Sequence, residues 1–324
     1  MATLATALLA RPALSRAAAE AEARMPQVQT WLDSARKRQL VVRLRLPATE
    51  PPWPLIIYSP GLGSGVSNGA AWCDAWRDAG LMVLTIAHPQ SSDDIWHVRR
   101  GNLRARLNVA LQWTQFVHRI NDCRFVIDQC TQRGDLRRLV DARRIGAAGH
   151  SYGALTVQAL AGQWYDGKPQ FRDARIRAAT ALSPGANPID AARSAAGITI
   201  PTLCVTGDQD GYVTFGSGDD AMRLGVPLDN RLAIYKMLPP GNKHLLVLKG
   251  ADHMTFAGES VEGIAYSRAP GVTLASDQPQ WRKVSTMTAL FWQRYLFAQP
   301  ANATATLEKQ ALRELHGLDR WESK

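Results

Sequence analysis

Short, almost wholly apolar blocks recur along the chain at residues 55–58, 81–86, 145–148, 178–182, 201–206 and 245–248. Blocks of this length without polar alternation read as strands buried on both faces of a parallel sheet. Residues 38–46 behave differently: Leu40, Val42, Leu44 and Leu46 alternate with Gln39, Val41, Arg43 and Arg45. That period of two predicts a half-exposed edge strand. Between the apolar blocks lie helical candidates at residues 71–79, 102–132, 151–163 and 284–297. Strands alternating with helices imply right-handed crossovers and one open α/β sheet, mostly parallel, with helices on both faces. Residues 258–280 have little apolar periodicity and several Gly, Pro and Ser, which predicts a long surface loop.

Composition is compatible with this picture. A chain of 324 residues, 46% hydrophobic and 20% charged, can bury a large core. The expected organisation is a leader over residues 1–25, one α/β domain over residues 30–300, and a partly helical tail over residues 301–324. The leader is small, apolar and alanine-rich, with Ala-x-Ala sites but no preceding basic stretch. It reads as the remnant of an export signal, with a plain cytoplasmic leader as the alternative. No other segment approaches the roughly 18 apolar residues of a membrane span. The net charge of +10 is spread along the chain. Its densest cluster, Arg137, Arg138, Arg143 and Arg144, lacks interleaved aromatics and reads as a solvated helix end, so no nucleic-acid partner is expected. Cys73, Cys123, Cys130 and Cys204 form no metal spacing, and neither a metal nor a cofactor is called for. Cys123 and Cys130 would share a helix face about 10 Å apart, too far for a disulfide.

One pentapeptide carries chemistry. Gly149-His150-Ser151-Tyr152-Gly153 fits Gly-x-Ser-x-Gly, follows an apolar strand and opens a helix. A sharp strand-to-helix turn lifts the serine hydroxyl out of the sheet and places it at a helix N-terminus. Serine needs a base to take its proton and a carboxylate to orient that base, and in this arrangement the chain order is Ser, acid, His. The strand at 201–206 runs into Gly207-Asp208-Gln209-Asp210-Gly211, and the strand at 245–248 runs into Lys249-Gly250-Ala251-Asp252-His253. Both loops fall at carboxyl ends of parallel strands, where open α/β sheets build their sites. Asp210 is preferred as the acid and Asp208 is second, since an Asp beside Gly often caps its own turn. His253 is preferred as the base over His244, at the wrong strand end, His150, beside the nucleophile, and His88 and His97, which precede it. The turn Ser59-Pro60-Gly61-Leu62-Gly63-Ser64-Gly65 follows another strand. Leu62 there and Tyr152 after the serine are the expected backbone donors to an oxyanion. The turn also reads as a phosphate cradle, but it lacks the Gly-Lys-Ser/Thr ending of a P-loop. Tryptophans 72, 96, 113 and 164 are candidates for a cleft wall, although helix-spaced tryptophans are more often core.

Over about residues 30–297 the chain resembles the bacterial dienelactone-hydrolase-like and platelet-activating-factor-acetylhydrolase-like branch of the α/β-hydrolases. The resemblance rests on Ser59-Pro60-Gly61-Leu62-Gly63, Gly149-His150-Ser151-Tyr152-Gly153-Ala154, Ala181-Leu182-Ser183-Pro184-Gly185, Thr206-Gly207-Asp208-Gln209-Asp210 and Gly250-Ala251-Asp252-His253-Met254. It implies the α/β-hydrolase fold and hydrolysis of a small-molecule or lipid-like carboxylic ester through Ser151, His253 and Asp210, with the Leu62 and Tyr152 amides as oxyanion donors. One feature departs from the pattern: Pro60 stands where the family usually has histidine before the first glycine. The resemblance does not carry over the dienelactone name, because true dienelactone hydrolases use a cysteine nucleophile and this chain has Ser151. Lipase, thioesterase, amidase and polyester hydrolase activities on the same residues, and an inactive binding protein of the same fold, are the alternatives.

Overall fold

A computed structural model describes residues 15–25, 27–96, 102–165, 170–186, 191–216, 219, 221–258, 274–297, 309, 313, 315, 317 and 319–324. Its strands are β1 (Val28–Asp33), β2 (Arg38–Arg45), β3 (Trp53–Ser59), β4 (Met82–Ala87), β5 (Val140–His150), β6 (Ile176–Leu182), β7 (Thr202–Gln209), β8 (Val213–Phe215), β9 (Met222–Leu224), β10 (Lys243–Asp252) and β11 (Arg320–Ser323). Nine of them form one sheet in the order β1-β2-β4-β3-β5-β6-β7-β10-β11, and β8 pairs with β9 separately. From β4 through β3, β5, β6 and β7 to β10 every pairing is parallel, while β1, β2 and β11 add antiparallel margins.

The helices are α1 (Arg16–Arg24), α2 (Ala70–Asp78), α3 (Leu103–Ala110), α4 (Trp113–Gln132), α5 (Gly134–Arg137), α6 (Tyr152–Ala161), α7 (Ala191–Ala196), α8 (Leu228–Met237) and α9 (Leu274–Leu296). They cover both sides of the sheet, as the unbroken apolar blocks require. Along β3, Leu55 and Ile57 join a core with α4, α6 and α8, whereas Ile56 and Tyr58 join a second core with α2 and α9. Burial on both faces is why a strand such as β3 shows no alternation. Helix α1, inside the expected leader, contributes buried Ala18 and Ala21 to the first core. Among the described residues no helix is long and apolar enough to cross a membrane.

Several elements depart from the sequence reading. β2 is not an edge strand, because β1 pairs outside it. β1 escaped notice because its burial runs exposed to half-buried with only Trp31 and Asp33 covered, a weak apolar signal. The stretch 102–132 is broken at Leu111 and Gln112, where Gln112 turns extended (φ −62°, ψ 148°) before α4. The Tyr152 hydroxyl donates to the Ala110 carbonyl (3.1 Å), satisfying one acceptor that the end of α3 leaves open. In the expected loop at 258–280, residues 274–280 open α9, with Pro279 inside the helix, and residues 259–273 lie outside the described residues. The chain end supplies β11 against β10, which the sequence reading did not anticipate.

Candidate active site

The connection from β3 to β4 moves one way across the sheet, and the connection from β4 to β5 passes back over β3. The reversal leaves a crevice at the carboxyl ends of β3 and β5, the place where open α/β sheets bind ligands. β3 ends in the turn that begins at Pro60, and β5 ends at Ser151. Ser151 has φ 55° and ψ −115°, a backbone state that L residues adopt only under constraint from their surroundings. The flanking glycines allow it by close approach rather than by flexibility. A Cβ on Gly153 would overlap the Ser59 carbonyl and lie 2.6 Å from the Pro60 oxygen; one on Gly149 would lie 2.7 Å from the Ser59 oxygen. The turn after β3 therefore rests directly on the start of α6.

His253 follows β10 and opens a short 3-10 helix, His253–Ala257, whose first turn is fixed by Asp252. The Asp252 carboxylate accepts from the Thr255 amide (2.9 Å), and the Thr255 hydroxyl accepts from the Asp252 amide (3.1 Å). This reciprocal cap sets the direction of the imidazole. His253 Nε2 lies 2.9 Å from Ser151 Oγ, and His253 Nδ1 lies 2.9 Å from Asp210 Oδ1. Asp210, just past β7, also accepts from the hydroxyls of Ser183 (2.7 Å) and Thr206 (2.8 Å) on its other oxygen. With Nδ1–H given to Asp210, Nε2 is left to accept from the serine.

Arg231, on α8, completes the row, and the sequence reading missed it. Its Nε stands 2.8 Å from Asp210 Oδ1, and its other donors reach the carbonyls of Ser183, Pro184 and Gly211. A buried arginine inside one helix leaves no sequence signal, because its partners arrive from three other segments. Burial works to raise the Asp210 carboxyl, but Arg231, His253 and Ser183 outweigh it and bring it down to about 2. Burial and the Arg231 charge push the His253 imidazole below its ordinary value, and Asp210 opposes them only in part. Arg231 Nη2 stands 3.0 Å from Nδ1. Both nitrogens carry hydrogens there, so this approach repels a protonated ring rather than bonding to it.

The remaining candidates fall elsewhere. Asp208 accepts from the Gly250 amide (2.7 Å) and pairs with Lys249 Nζ (2.7 Å), holding the β7 and β10 ends together away from the imidazole. His244 sits near the start of β10, bonded to Ser323 and Tyr295. His150 donates Nε2–H to the His253 carbonyl (3.1 Å), and burial together with His253 holds its ring well below the usual value, so it stays neutral. His88 lies in a separate buried cluster with Ser59 and Asp122. His97 lies outside the described residues. The four cysteines are free and buried, and burial drives every thiol upward, Cys73, Cys123 and Cys204 to about 12.

Ser151, Leu62, Tyr152 and His253 all line one cavity of about 650 Å³. One wall is aromatic, with Trp113, Phe116 and Tyr165, whose ring centroids lie 5.4–5.5 Å apart; the other is aliphatic, with Val213, Leu224 and Met254. Trp113 is thus the wall residue among the tryptophans singled out, whereas Trp72 is core and Trp96 stacks on Phe215. On the turn after β3, a Cβ on Gly61 would lie 3.6 Å from the Ser151 Cβ, so Leu62 follows directly past the serine. The Tyr152 amide is one of the donors that a helix start leaves without an intrahelical acceptor.

Sheet order, crossovers and the strained serine turn define an α/β-hydrolase fold, and solved structures agree. A ferulic acid esterase from Streptomyces cinnamoneus is similar at TM-score 0.56 and 22% identity, over 84% of this chain and 86% of that one. A dienelactone hydrolase from Anabaena variabilis is similar at TM-score 0.52 and 16% identity, over 84% of this chain and all of that one (100%). No protein-family model matches the chain. No curated protein matches it either.

Proposed function

We propose that this protein hydrolyses carboxylic esters through an acyl-enzyme on Ser151. The observation that carries the reading is the row Ser151–His253–Asp210, two contacts of 2.9 Å each, with His253 and Asp210 buried and Ser151 opening into a cavity. A hydroxyl, a neutral imidazole and a carboxylate in this order can move a proton and form a nucleophile without a metal or organic cofactor. His253 Nε2 takes the proton as Ser151 Oγ attacks the carbonyl carbon. Asp210 orients the ring and stabilises the imidazolium, and its two hydroxyl donors and Arg231 keep it ionised while it does so. The amides of Leu62 and Tyr152 receive the developing oxyanion. His253 then protonates the departing alcohol, and water activated by the same ring releases the acid.

A cavity of about 650 Å³ falls in the range of small-molecule sites, and its apolar walls suit an uncharged ester better than a polar one. The ferulic acid esterase and dienelactone hydrolase of the same fold support a hydrolytic reading. The test is turnover of p-nitrophenyl esters by the protein and its Ser151→Ala variant. The variant is expected to lose kcat by roughly 10⁴–10⁶. Near-normal turnover by the variant contradicts the proposal.

A further inference from the structure

A second row of serine, histidine and aspartate lies behind the first. Ser59 Oγ is 3.0 Å from His88 Nε2, and His88 Nδ1 is 3.1 Å from Asp122 Oδ2. Asp122 is anchored in turn by Arg36 Nη1 (2.7 Å) and by Arg38 Nε and Nη2 (3.0 Å each). The atoms match a nucleophile, base and acid, yet Ser59 and His88 are buried and neither borders the cavity. Ser59 has no path to a substrate. Its hydroxyl instead meets the guanidinium of Arg119, which α4 sends into the core and which is 1% exposed.

The bonds of Arg119 converge on both halves of the oxyanion pocket. Its Nη2 donates to the Pro60 carbonyl and to Ser59 Oγ (3.1 Å), on the turn that carries Leu62. Its Nη1 donates to Ser91 Oγ (2.8 Å), and the Ser91 carbonyl accepts from the Gly63 amide (2.9 Å). Leu62 is therefore bracketed: the carbonyl two residues before it and the amide one residue after it are both tied to the same cluster. On the other side, Arg119 Nε donates to Thr156 Oγ1 (3.3 Å), whose hydroxyl donates to the Tyr152 carbonyl (3.0 Å). The guanidinium carbon, Cζ, also lies 4.6 Å from the Tyr152 ring centroid.

Proton counting makes the cluster self-consistent. His88, held neutral by burial and by Arg119, gives Nδ1–H to Asp122 and accepts the Ser59 proton on Nε2. Ser59 is then free to accept from Arg119. Burial draws the guanidinium down to about 10, so it stays a cation at neutral pH. Each of its three nitrogens donates to at least one acceptor, and a planar fork can hold several acceptors at fixed angles where an ammonium cannot.

We propose that Arg119 is a positioning residue for the oxyanion pocket, tying the Leu62 turn to the start of α6 so that the Leu62 and Tyr152 amides converge on one point. The proposal rests on the serine-esterase reading above. In that reading a proline, Pro60, precedes the first glycine of the turn and offers no side-chain donor, and Arg119 supplies from α4 the order that the turn itself cannot. A loosened turn misplaces a donor that matters only when the carbonyl oxygen becomes charged, so the loss belongs to kcat rather than KM.

The experiment compares wild type with Arg119→Lys and Arg119→Met. It uses active-site concentration from fluorophosphonate titration, kcat and KM on a p-nitrophenyl ester, and Ki for a trifluoromethyl ketone, whose adduct oxygen occupies the oxyanion position. Both variants are expected to lose kcat per titrated site by about 10- to 100-fold, up to the loss of a whole oxyanion donor. KM should stay within about twofold, and Ki for the ketone should rise in parallel with the loss in kcat. If the methionine variant does not fold, the lysine variant carries the test with the same readouts, since it keeps charge and stem. Full kcat per titrated site, or a KM increase that accounts for the whole loss, overturns the proposal. Absence of titration and turnover in the wild type would instead overturn the esterase reading, so the two failures are distinct.

Discussion

At the scale of single residues, the two aspartates beside Gly207 separate by what they touch. Asp210 meets the imidazole, and Asp208 meets a lysine and a backbone amide. Asp210→Asn is expected to lower kcat by about 10⁴, through loss of the ring tautomer and of imidazolium stabilisation. Asp208→Asn, by contrast, should change kcat by less than about tenfold, because it alters a partly exposed ion pair; steady-state kinetics on one ester checks both. The pH profile is the second residue-scale consequence. In the proposed mechanism His253 must be neutral to take the serine proton, and its value lies below the ordinary 6.5. The ascending limb of kcat/KM should therefore have its midpoint below pH 6.5. Replacing Arg231 with Gln removes a positive neighbour and leaves Asp210 less compensated, so the midpoint should move upward. A midpoint that stays put would mean that the Arg231 charge does not reach the ring. Ser151, His253 and both aspartates were legible because strand ends and chain order single them out. Arg231 and Arg119 were not, because a buried cation is defined by partners gathered from distant segments.

At the scale of elements, the serine turn depends on the fit between the start of α6 and the turn after β3. Gly153 has no room for a Cβ against the Ser59 and Pro60 carbonyls. Gly153→Ala should destabilise by at least the roughly 1–3 kcal/mol of an overpacked core, lower Tm and reduce the fraction of sites that titrate. A variant that melts and titrates like wild type would show that the contact yields easily. Strands buried on both faces were legible in the sequence because burial erases alternation. Elements with one covered face or an unusual end were not: β1 shows one buried tryptophan, and the break between α3 and α4 is accompanied by a hydroxyl from Tyr152 that only the fold brings near.

At the scale of the whole molecule, the reversal of strand order puts the ends of β3 and β5 side by side, while β7 and β10 bring Asp210 and His253 from much later in the chain. The class of the fold followed from alternating strands and helices; the cavity over Ser151 did not, because its walls come from α4, β8, β9 and the segment after α6. The central claim is that Ser151 is the nucleophile. The direct measurement is mass spectrometry of the protein after reaction with a fluorophosphonate, with peptide mapping of the adduct. The expected result is one adduct, on Ser151, absent from the Ser151→Ala variant and formed in step with loss of ester turnover. Loss of turnover with the adduct on another residue, or full turnover with Ser151 modified, would contradict it.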